Sequence, residues 1–597
     1  MTSNSSKAEY RLDIDGLRAL ALIAVLVNHI NKNILINGFL GVDIFFVISG
    51  FVITSSLIRW EKTNSIKFFI DFYGRRIKRL LPALLIYVIF MSILVCIVNP
   101  APGETLLTGI FSILGVSNFY LLHRSFDYFS LNANFNVFMH TWSLGVEWQF
   151  YLIFPFLIHV SGYLRNAKKN SPKLLVIMTF LSICSLILFI YFYSTNNAIA
   201  YFSIATRFWE ISIGVITFLI YKHNKINFNK APNLLPICAT LFIIFILFFP
   251  LPSLYLSHIA VVFLTGILLI SLNKNSIIYK IFSKKNISSI GKSSYSIYLW
   301  HWGVISLSYW IIGTNKFSLL FQIPLIFILS LASFSLIENP GRNLLKFKNR
   351  ILGLYVWNFI FFISLLLIWI IGKPLRKYLY MGRFETIDFR PIFEIDNGDE
   401  LSKLNRVSDK KVIFITGGSH ASHLIGSLRK FSKENGYKKI FFISTNFREL
   451  NKLRENDLII YSRKASLNKN SKKDIRTLIK IATYQNAQLI LVNDVPRFGS
   501  NQHVDFYPKF TFYGNGPSIS REYVESYRRE HTEMLKSFVD ESRVIYLDPL
   551  PYLCEIDICS AVINGKLIYS DGSPHLNRNG ILFIENMWSE TLQKFLK

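Results

Sequence analysis

Charge is scarce in this chain. Asp, Glu, Lys and Arg make up only 17% of its 597 residues, while 51% are hydrophobic and 15% aromatic. That balance excludes a wholly soluble protein and requires much of the chain to sit in lipid. Acidic residues are scarcer still, 37 against 65 Lys and Arg, for a formal net charge of +28. No nucleic-acid-binding module accompanies this excess, which excludes nucleic acid as its reason. The basic residues lie mainly between apolar runs, where cytoplasmic membrane loops keep them and where they attract anionic membrane lipid. A cleavable signal peptide pattern is also missing, because the first apolar run leads straight into further ones. Cysteines number only five. Cys96, Cys184 and Cys238 fall in apolar stretches and read as small core residues. Cys554 and Cys559 lie close together in the polar C-terminal part, where an oxidising compartment would allow a small structural disulfide.

What is present is a long series of apolar runs. Those near residues 16–31, 38–58, 80–98, 148–162, 174–195, 205–222, 233–250, 255–272, 295–312, 317–337 and 351–372 approach or reach spanning length, which predicts about eleven transmembrane helices. A further run near 106–123 carries Ser112, Ser117 and Asn118. Basic clusters precede the first run and follow the second, fourth, sixth, eighth and tenth, among them Arg75, Arg76, Lys78 and Arg79. They fall on one side of the bilayer only if the 106–123 run does not cross. It is therefore expected to be re-entrant or interfacial, with the N-terminus cytoplasmic and the C-terminal part outside.

Ionisable residues inside apolar spans are costly and point to function. Arg18 and His29 share the first span, eleven residues apart, so a helix separates them by about 16 Å on a similar face. Asp43 begins the second span, Glu147 lies in "TWSLGVEWQFY", Arg207 and Glu210 lie in "TRFWE", and His301 falls within "SYSIYLWHW". A helix pack that brings His29, Glu147 and Arg207 together would hold a histidine general base oriented by a carboxylate. An Arg207 ion pair with Glu210 or Glu147 that only orders the bundle is the competing reading. "RRIKR", Arg75 to Arg79, serves topology, or grips the phosphates of a nucleotide-like donor with its guanidinium forks.

From about residue 378 the apolar runs shorten to strand length and alternate with helical stretches, which predicts an α/β domain with a parallel sheet over 378–597. "KKVIFITGGSH" reads as a strand, a glycine turn and a helix start. Ser419 there would have an exposed hydroxyl beside backbone N–H donors. "YSDGSPHLNRNG" adds Asp571 and His575, in the chain order Ser, Asp, His.

"RLDIDGLRALALIAVLVNHI" followed by "GFLGVDIFFVISGFVIT", then "FYGRRIKRLLPA", "TWSLGVEWQFYLIFP", "TRFWE", "SYSIYLWHW" and "LIENPGR" in that order resemble the membrane acyltransferase-3 family, from residue 10 to about 345. The resemblance implies a 1–377 membrane domain that engages acetyl-CoA as donor substrate, with His29 essential and Arg18, Arg75 and Arg76 binding the donor or ordering the fold. The C-terminal part resembles the SGNH hydrolase-like domain fused to such membrane parts. "ITGGSHASHL", "LVNDVPRFG" and "LCEIDIC...GKLIYSDGSPHLN" carry that likeness.

This second resemblance implies Ser419 as nucleophile, His575 as base, Asp571 as its orienting carboxylate, Asn493 as an aid to the oxyanion, and Cys554 with Cys559 as a disulfide. Two positions depart from the family pattern: Gly418 stands where an acid is usual, and Pro574 lies within a spacing stretched by one residue. Either the loop bulges to restore the triad or the domain binds sugar with reduced hydrolase chemistry.

The pair implies an O-acetyltransferase in a bacterial inner membrane, multi-pass, with a periplasmic C-terminal domain. It would carry acetyl from cytoplasmic acetyl-CoA to a hydroxyl of an envelope polysaccharide or lipid-linked glycan, lipopolysaccharide O-antigen first, peptidoglycan or exopolysaccharide otherwise. No bound cofactor or metal is implied. A transporter of lipid-linked sugar with an outer sugar-binding domain, and an outer-face esterase, are the readings from other classes.

Overall fold

The structure is a computed structural model. It describes residues 10–57, 65–99, 102–124, 134–223, 234–312, 316–344, 350–379, 381, 411–417, 421, 424–437, 439–443, 447, 450, 453–463, 469–498, 518–539, 543–564, 566–569, 576–585 and 587–588. Its contacts divide the chain into two units. One holds residues up to Cys96 and Pro102–Leu379, the other Tyr380–Lys597 with Ile97–Ala101.

The first unit is helical: α1 Leu12–Ile30, α2 Gly41–Ser55, α3 Ser65–Val98, α4 Gly103–Ile113, α5 Ser117–His123, α6 Trp142–Ser161, α7 Ala167–Thr195, α8 Asn197–Phe202 and α9 Ile204–His223. It continues through α10 Leu234–Phe248, α11 Leu254–Ser271, α12 Ile277–Phe282, α13 Lys285–Lys292, α14 Ser294–Ile311, α15 Lys316–Ser333, α16 Asn339–Leu344, α17 Arg350–Ile370 and α18 Arg376–Leu379. Seven helical stretches among the described residues are long and apolar enough to cross a membrane, and Leu234–Phe248 and Ile360–Ile370 are shorter apolar helices. This is a multi-pass membrane protein, with fewer qualifying helices than the eleven apolar runs suggest.

The difference has a physical cause. Two runs read as spans, in α1 and α14, are not among the seven. They carry the polar groups of the interior, Asp13, Asp15, Arg18 and His29 on one, and serines, tyrosines and His301 on the other. Every residue from Ser296 to Ser308 is buried, so α14 needs no lipid-facing apolar surface. By contrast, the apolar windows of the α7 and α15 stretches are only 28% and 22% buried, with Phe180, Ile187, Phe317 and Leu320 turned outward.

The 106–123 run is broken at Gly115, whose φ of +72° closes α4 before α5 begins. Neither helix, of 11 and 7 residues, is long enough to span. Its polar residues are used internally. Ser112 pairs with Thr141 at 2.6 Å and Ser117 donates to the Thr141 carbonyl at 2.9 Å. Asn118 donates to the Phe202 carbonyl at 2.9 Å and accepts from Gln149 at 2.7 Å.

Helices α2 and α9 cross where each presents a glycine to the other's backbone. A Cβ on Gly50 would sit on the Ile211 carbonyl, and one on Gly214 on the Val47 carbonyl. Small residues permit such close approach in membranes. Gly50→Ala is expected to destabilise the membrane unit by about 1–3 kcal/mol, as overpacking does, read as a lower melting midpoint of the purified protein. An unchanged midpoint would show that the crossing gives way freely.

The second unit contains a five-stranded parallel sheet ordered β2-β1-β3-β4-β6, with β1 Val412–Gly417, β2 Lys439–Ile443, β3 Leu458–Ser462, β4 Gln488–Val492 and β6 Val544–Leu547. β5 Ser518–Ser520 and β7 Ile558–Ser560 form an antiparallel pair beside it in sequence. Alternate residues of the sheet feed two cores. Ile413 and Ile415 pack with Leu424, Leu428 and Trp588, while Val412 and Phe414 pack with Leu450, Ile475 and Leu535. Strand order reverses at β1, and in such sheets the carboxyl ends at the switch point hold the ligand crevice. β1 ends there at Gly417, with φ +140° and its Cα facing the Ser462 carbonyl too closely for any side chain.

Candidate active site

The membrane unit arranges its polar side chains in a column of levels. Arg18 and His29 lie on α1 about 16 Å apart by helical rise. On α6, Ser143, Glu147 and Tyr151 follow at intervals of four residues, and on α14, Tyr295, Tyr298 and His301 follow at intervals of three, so each set shares one face.

At the cationic end, one cavity is lined by Tyr10, Asp15, Arg18, Val52, Arg75, Arg76, Lys78, Arg79 and Lys292, six cations against one carboxylate. A second cavity shares Arg18, Val52, Arg76 and Arg79 with it and continues past Ser49, Glu147, Tyr151 and Tyr295 to Ser143 and Tyr298. Arg18 is held by Asp15 at 3.3 Å. The Arg76 guanidinium lies 5.1 Å from the centre of the Tyr151 ring and 5.6 Å from that of Phe72. The Nε atoms of Arg76 and of Arg79 are buried with no hydrogen-bond partner among the described residues.

At the other end, His29 Nδ1 lies 3.0 Å from His301 Nε2, with the two rings nearly coplanar at 2°. His301 Nδ1 lies 3.2 Å from the Ile297 carbonyl. A carbonyl only accepts, so His301 carries its proton on Nδ1 and accepts at Nε2. Nδ1–H of His29 donates to it, and the lone pair of neutral His29 is on Nε2. The edge of Trp302 packs on the His29 ring at 4.7 Å. Trp302 is itself pinned by a bond from its indole to the Asn136 carbonyl at 2.8 Å.

The expected grouping of His29, Glu147 and Arg207 is replaced by three separate ones. His29 has His301 as its ring partner. Glu147 accepts from Ser49 at 2.6 Å and from Tyr151. Arg207 is fully buried, donating to Asp43 at 3.2 Å and Glu210 at 2.5 Å, with Tyr201, Phe189 and Trp142 rings around it. His258 completes that cluster at 2.6 Å from Asp43. The ligand atoms of Asp43, Glu210 and His258 lie within 4.8 Å of one another, but the Arg207 Nη1 contacts all three. A guanidinium in that position fills the place and charge of a metal ion, so the cluster reads as an ion-pair lock between α2, α9 and α11.

Sequence reasoning missed His140, His258 and Tyr298. His258 was open to the same rule that picked out His29, an ionisable group inside an apolar run. His140 is fully buried, its ring edge-on to His301 at 5.8 Å, and neither ring nitrogen has a hydrogen-bond partner among the described residues.

In the second unit, Ser419, Asp571 and His575 lie outside the described residues. Asn493 follows β4 and is 1% exposed. Its amide nitrogen donates to Tyr546 at 2.7 Å and Thr532 at 2.9 Å, and its oxygen accepts from Asp494 N at 2.9 Å and lies 3.1 Å from His531 Nδ1. Burial beside Asp548 pushes the Tyr546 phenol well up, so it stays protonated and donates to Asp548 at 3.1 Å. Both amide hydrogens of Asn493 are thus taken within the domain, and to serve an oxyanion it must release one. Asp494 is clamped by Arg497 at 2.5 Å. Cys554 and Cys559 are disulfide-bonded.

Comparison with known proteins places this geometry in a family. The model of the acyltransferase domain matches residues 11–373, and that of the SGNH domain fused to such domains matches residues 439–590. The chain is 33% identical over 398 residues to the peptidoglycan O-acetyltransferase OatA of Listeria monocytogenes, covering 62% of this chain and 60% of that protein. It is also 33% identical over 363 residues to the O-acetyltransferase OatA of Staphylococcus aureus, covering 56% of this chain and 57% of that one. The matched part thus spans about three fifths of these relatives' length. A solved periplasmic domain of a Salmonella Paratyphi A lipopolysaccharide acetyltransferase is similar at 16% identity and a TM-score of 0.27, covering 34% of this chain and 90% of that one. At that score the likeness carries no argument. The match over residues 11–373, more than half of the chain, makes it a member of the acyltransferase-3 family, in the form fused to an SGNH domain.

Proposed function

We propose that the chain is an O-acetyltransferase that takes acetyl from acetyl-CoA and delivers it to a hydroxyl of an envelope polysaccharide. The observation that carries this reading is the pair of buried guanidinium Nε–H groups of Arg76 and Arg79, without hydrogen-bond partners among the described residues where the two cavities join. A buried unsatisfied donor costs about 1–3 kcal/mol. That cost is relieved by an anion, and guanidinium forks match phosphate oxygens. A phosphate-bearing donor held there sends its thioester arm along the second cavity toward the histidines, where His29 Nε2 serves as general base.

The clustering of Lys and Arg at the donor cavity supports a cytoplasmic mouth, a cytoplasmic N-terminus and a C-terminal domain on the far side of a bacterial cell membrane. Ser419, Asp571 and His575 are proposed to pass the acyl group onward there; Ser419 comes two residues after the end of β1, the strand at the switch point of the sheet. The Listeria relative is named for peptidoglycan, which favours that polymer as acceptor. O-antigen is the second acceptor to test.

The test is the purified full chain in liposomes with radiolabelled acetyl-CoA and, separately, peptidoglycan and lipopolysaccharide fractions. Acetyl ester on one of the glycans is the expected result. Glycan that stays unlabelled while sugar moves across the bilayer would make the protein a transporter.

A further inference from the structure

The cavity that leaves the arginines ends at two hydroxyls. Ser143 on α6 and Tyr298 on α14 both line it, and their oxygens are 2.7 Å apart. Both also reach the carbonyl of His140, Tyr298 at 3.0 Å and Ser143 at 3.2 Å. Behind them stands the histidine level. The Tyr298 ring lies 5.4 Å from that of His301 and 5.3 Å from that of His140. Tyr298 precedes His301 by three residues, one helical turn on the same face, about 4.5 Å along the axis.

Two hydroxyl protons here serve one carbonyl. Either Ser143 or Tyr298 satisfies the His140 oxygen, and the remaining O–H is left to bond its neighbouring hydroxyl. That second proton can be turned toward a new acceptor without leaving any buried group unsatisfied. Three other hydroxyls along the cavity are committed. Ser49 and Tyr151 donate to Glu147, and Tyr295 donates to the Leu80 carbonyl at 2.7 Å. The redirectable proton therefore lies at the end of the cavity nearest the histidine pair.

We propose that Ser143 and Tyr298 receive the thioester carbonyl oxygen of the donor, and that the Tyr298 O–H stabilises the oxyanion formed when the acyl carbon is attacked. The inference rests on the acetyl-CoA reading above. The attacking hydroxyl oxygen bonds to the acyl carbon and gives its proton to His29 Nε2. The carbonyl electron pair moves onto oxygen, against the Tyr298 O–H. On collapse the C–S bond breaks, and the sulfur leaves with its electron pair and takes the proton from His29. The products are an ester and a free thiol. One hydroxyl of the pair keeps the His140 carbonyl satisfied throughout.

The experiment measures thiol release from acetyl-CoA by the detergent-purified full chain, with host envelope glycan as acceptor, alongside binding of coenzyme A, which has no acyl carbonyl. Tyr298→Phe is expected to lower kcat about 100- to 1,000-fold, as loss of an oxyanion donor does. The KM for acetyl-CoA and the coenzyme A affinity should stay within about threefold, well inside the factor of ten that 1.4 kcal/mol represents. Ser143→Ala is expected to lower kcat about tenfold, the worth of one ordinary hydrogen bond. Parental kcat in Tyr298→Phe, or a loss expressed wholly in KM, overturns the proposal. If Tyr298→Phe does not bind coenzyme A, Ser143→Ala decides by the same split. A parental protein that releases no thiol overturns the acetyl-CoA reading itself, a result distinct from either.

Discussion

Replacing His29 with alanine is expected to lower acyl transfer at least about 1,000-fold, within the range that a positioned general base contributes. The lone pair of its neutral ring is set on Nε2 by the bond from Nδ1 to His301, and His301 is set in turn by the Ile297 carbonyl. When Nε2 takes a proton, the positive charge is shared between two coplanar rings. His301→Phe removes only the acceptor, so His29 keeps its place but loses its tautomer and half of that charge relief. A loss of about 10- to 100-fold is expected, the size of one charged hydrogen bond. Acetyl ester on the glycan measures both variants. Parental ester levels in His29→Ala would end the general-base reading.

Alanine at Arg76 and Arg79 together is expected to raise the KM for acetyl-CoA by two orders of magnitude or more, with a smaller effect on kcat. Each charge-assisted bond to phosphate contributes about 1.5–3 kcal/mol, or about 10- to 150-fold singly. Rising salt should weaken donor binding in the parent and do so less in the double variant, because fewer screened charges remain. Lysine at both positions should restore part of the affinity, since it supplies charge without the planar fork. Unchanged KM would place the phosphates elsewhere.

The ends of the column were legible in sequence, its middle was not. Arg18, His29 and the Arg75 to Arg79 run stand out because ionisable groups in apolar surroundings are rare. The His29 to His301 bond joins residues 272 positions apart, and only the packing of α1 against α14 creates it. A carboxylate partner was the natural expectation for a histidine base, and Glu147, an ionisable group in an apolar run, invited it. Its oxygen is taken by Ser49 and Tyr151. Tyr298 gave no signal, because tyrosine is ordinary in membrane helices, and Ser143 stood out only as one of the polar residues of "TWSLGVEWQFY".

In the second unit the strands were readable from apolar runs of the right length, β1 within "KKVIFITGGSH" among them; β3, "LIIYS", is harder to read although it is central, because its run is short and the charged "RENDL" leads into it. Asn493 was read from its motif as facing the reaction, whereas neighbours on two other segments, His531 and Thr532 on one helix and Tyr546 on β6, turn it into the domain.

The histidine pair also bears on bioenergetics. Its hydrogen-bond run stops at the Ile297 carbonyl, an oxygen that has no proton to pass along. Along that run, among the described residues, a proton taken up at His29 meets no donor beyond His301 to carry it on. The proposed reaction is therefore expected to run at the same rate in liposomes with and without a proton gradient, with the thioester supplying the driving force.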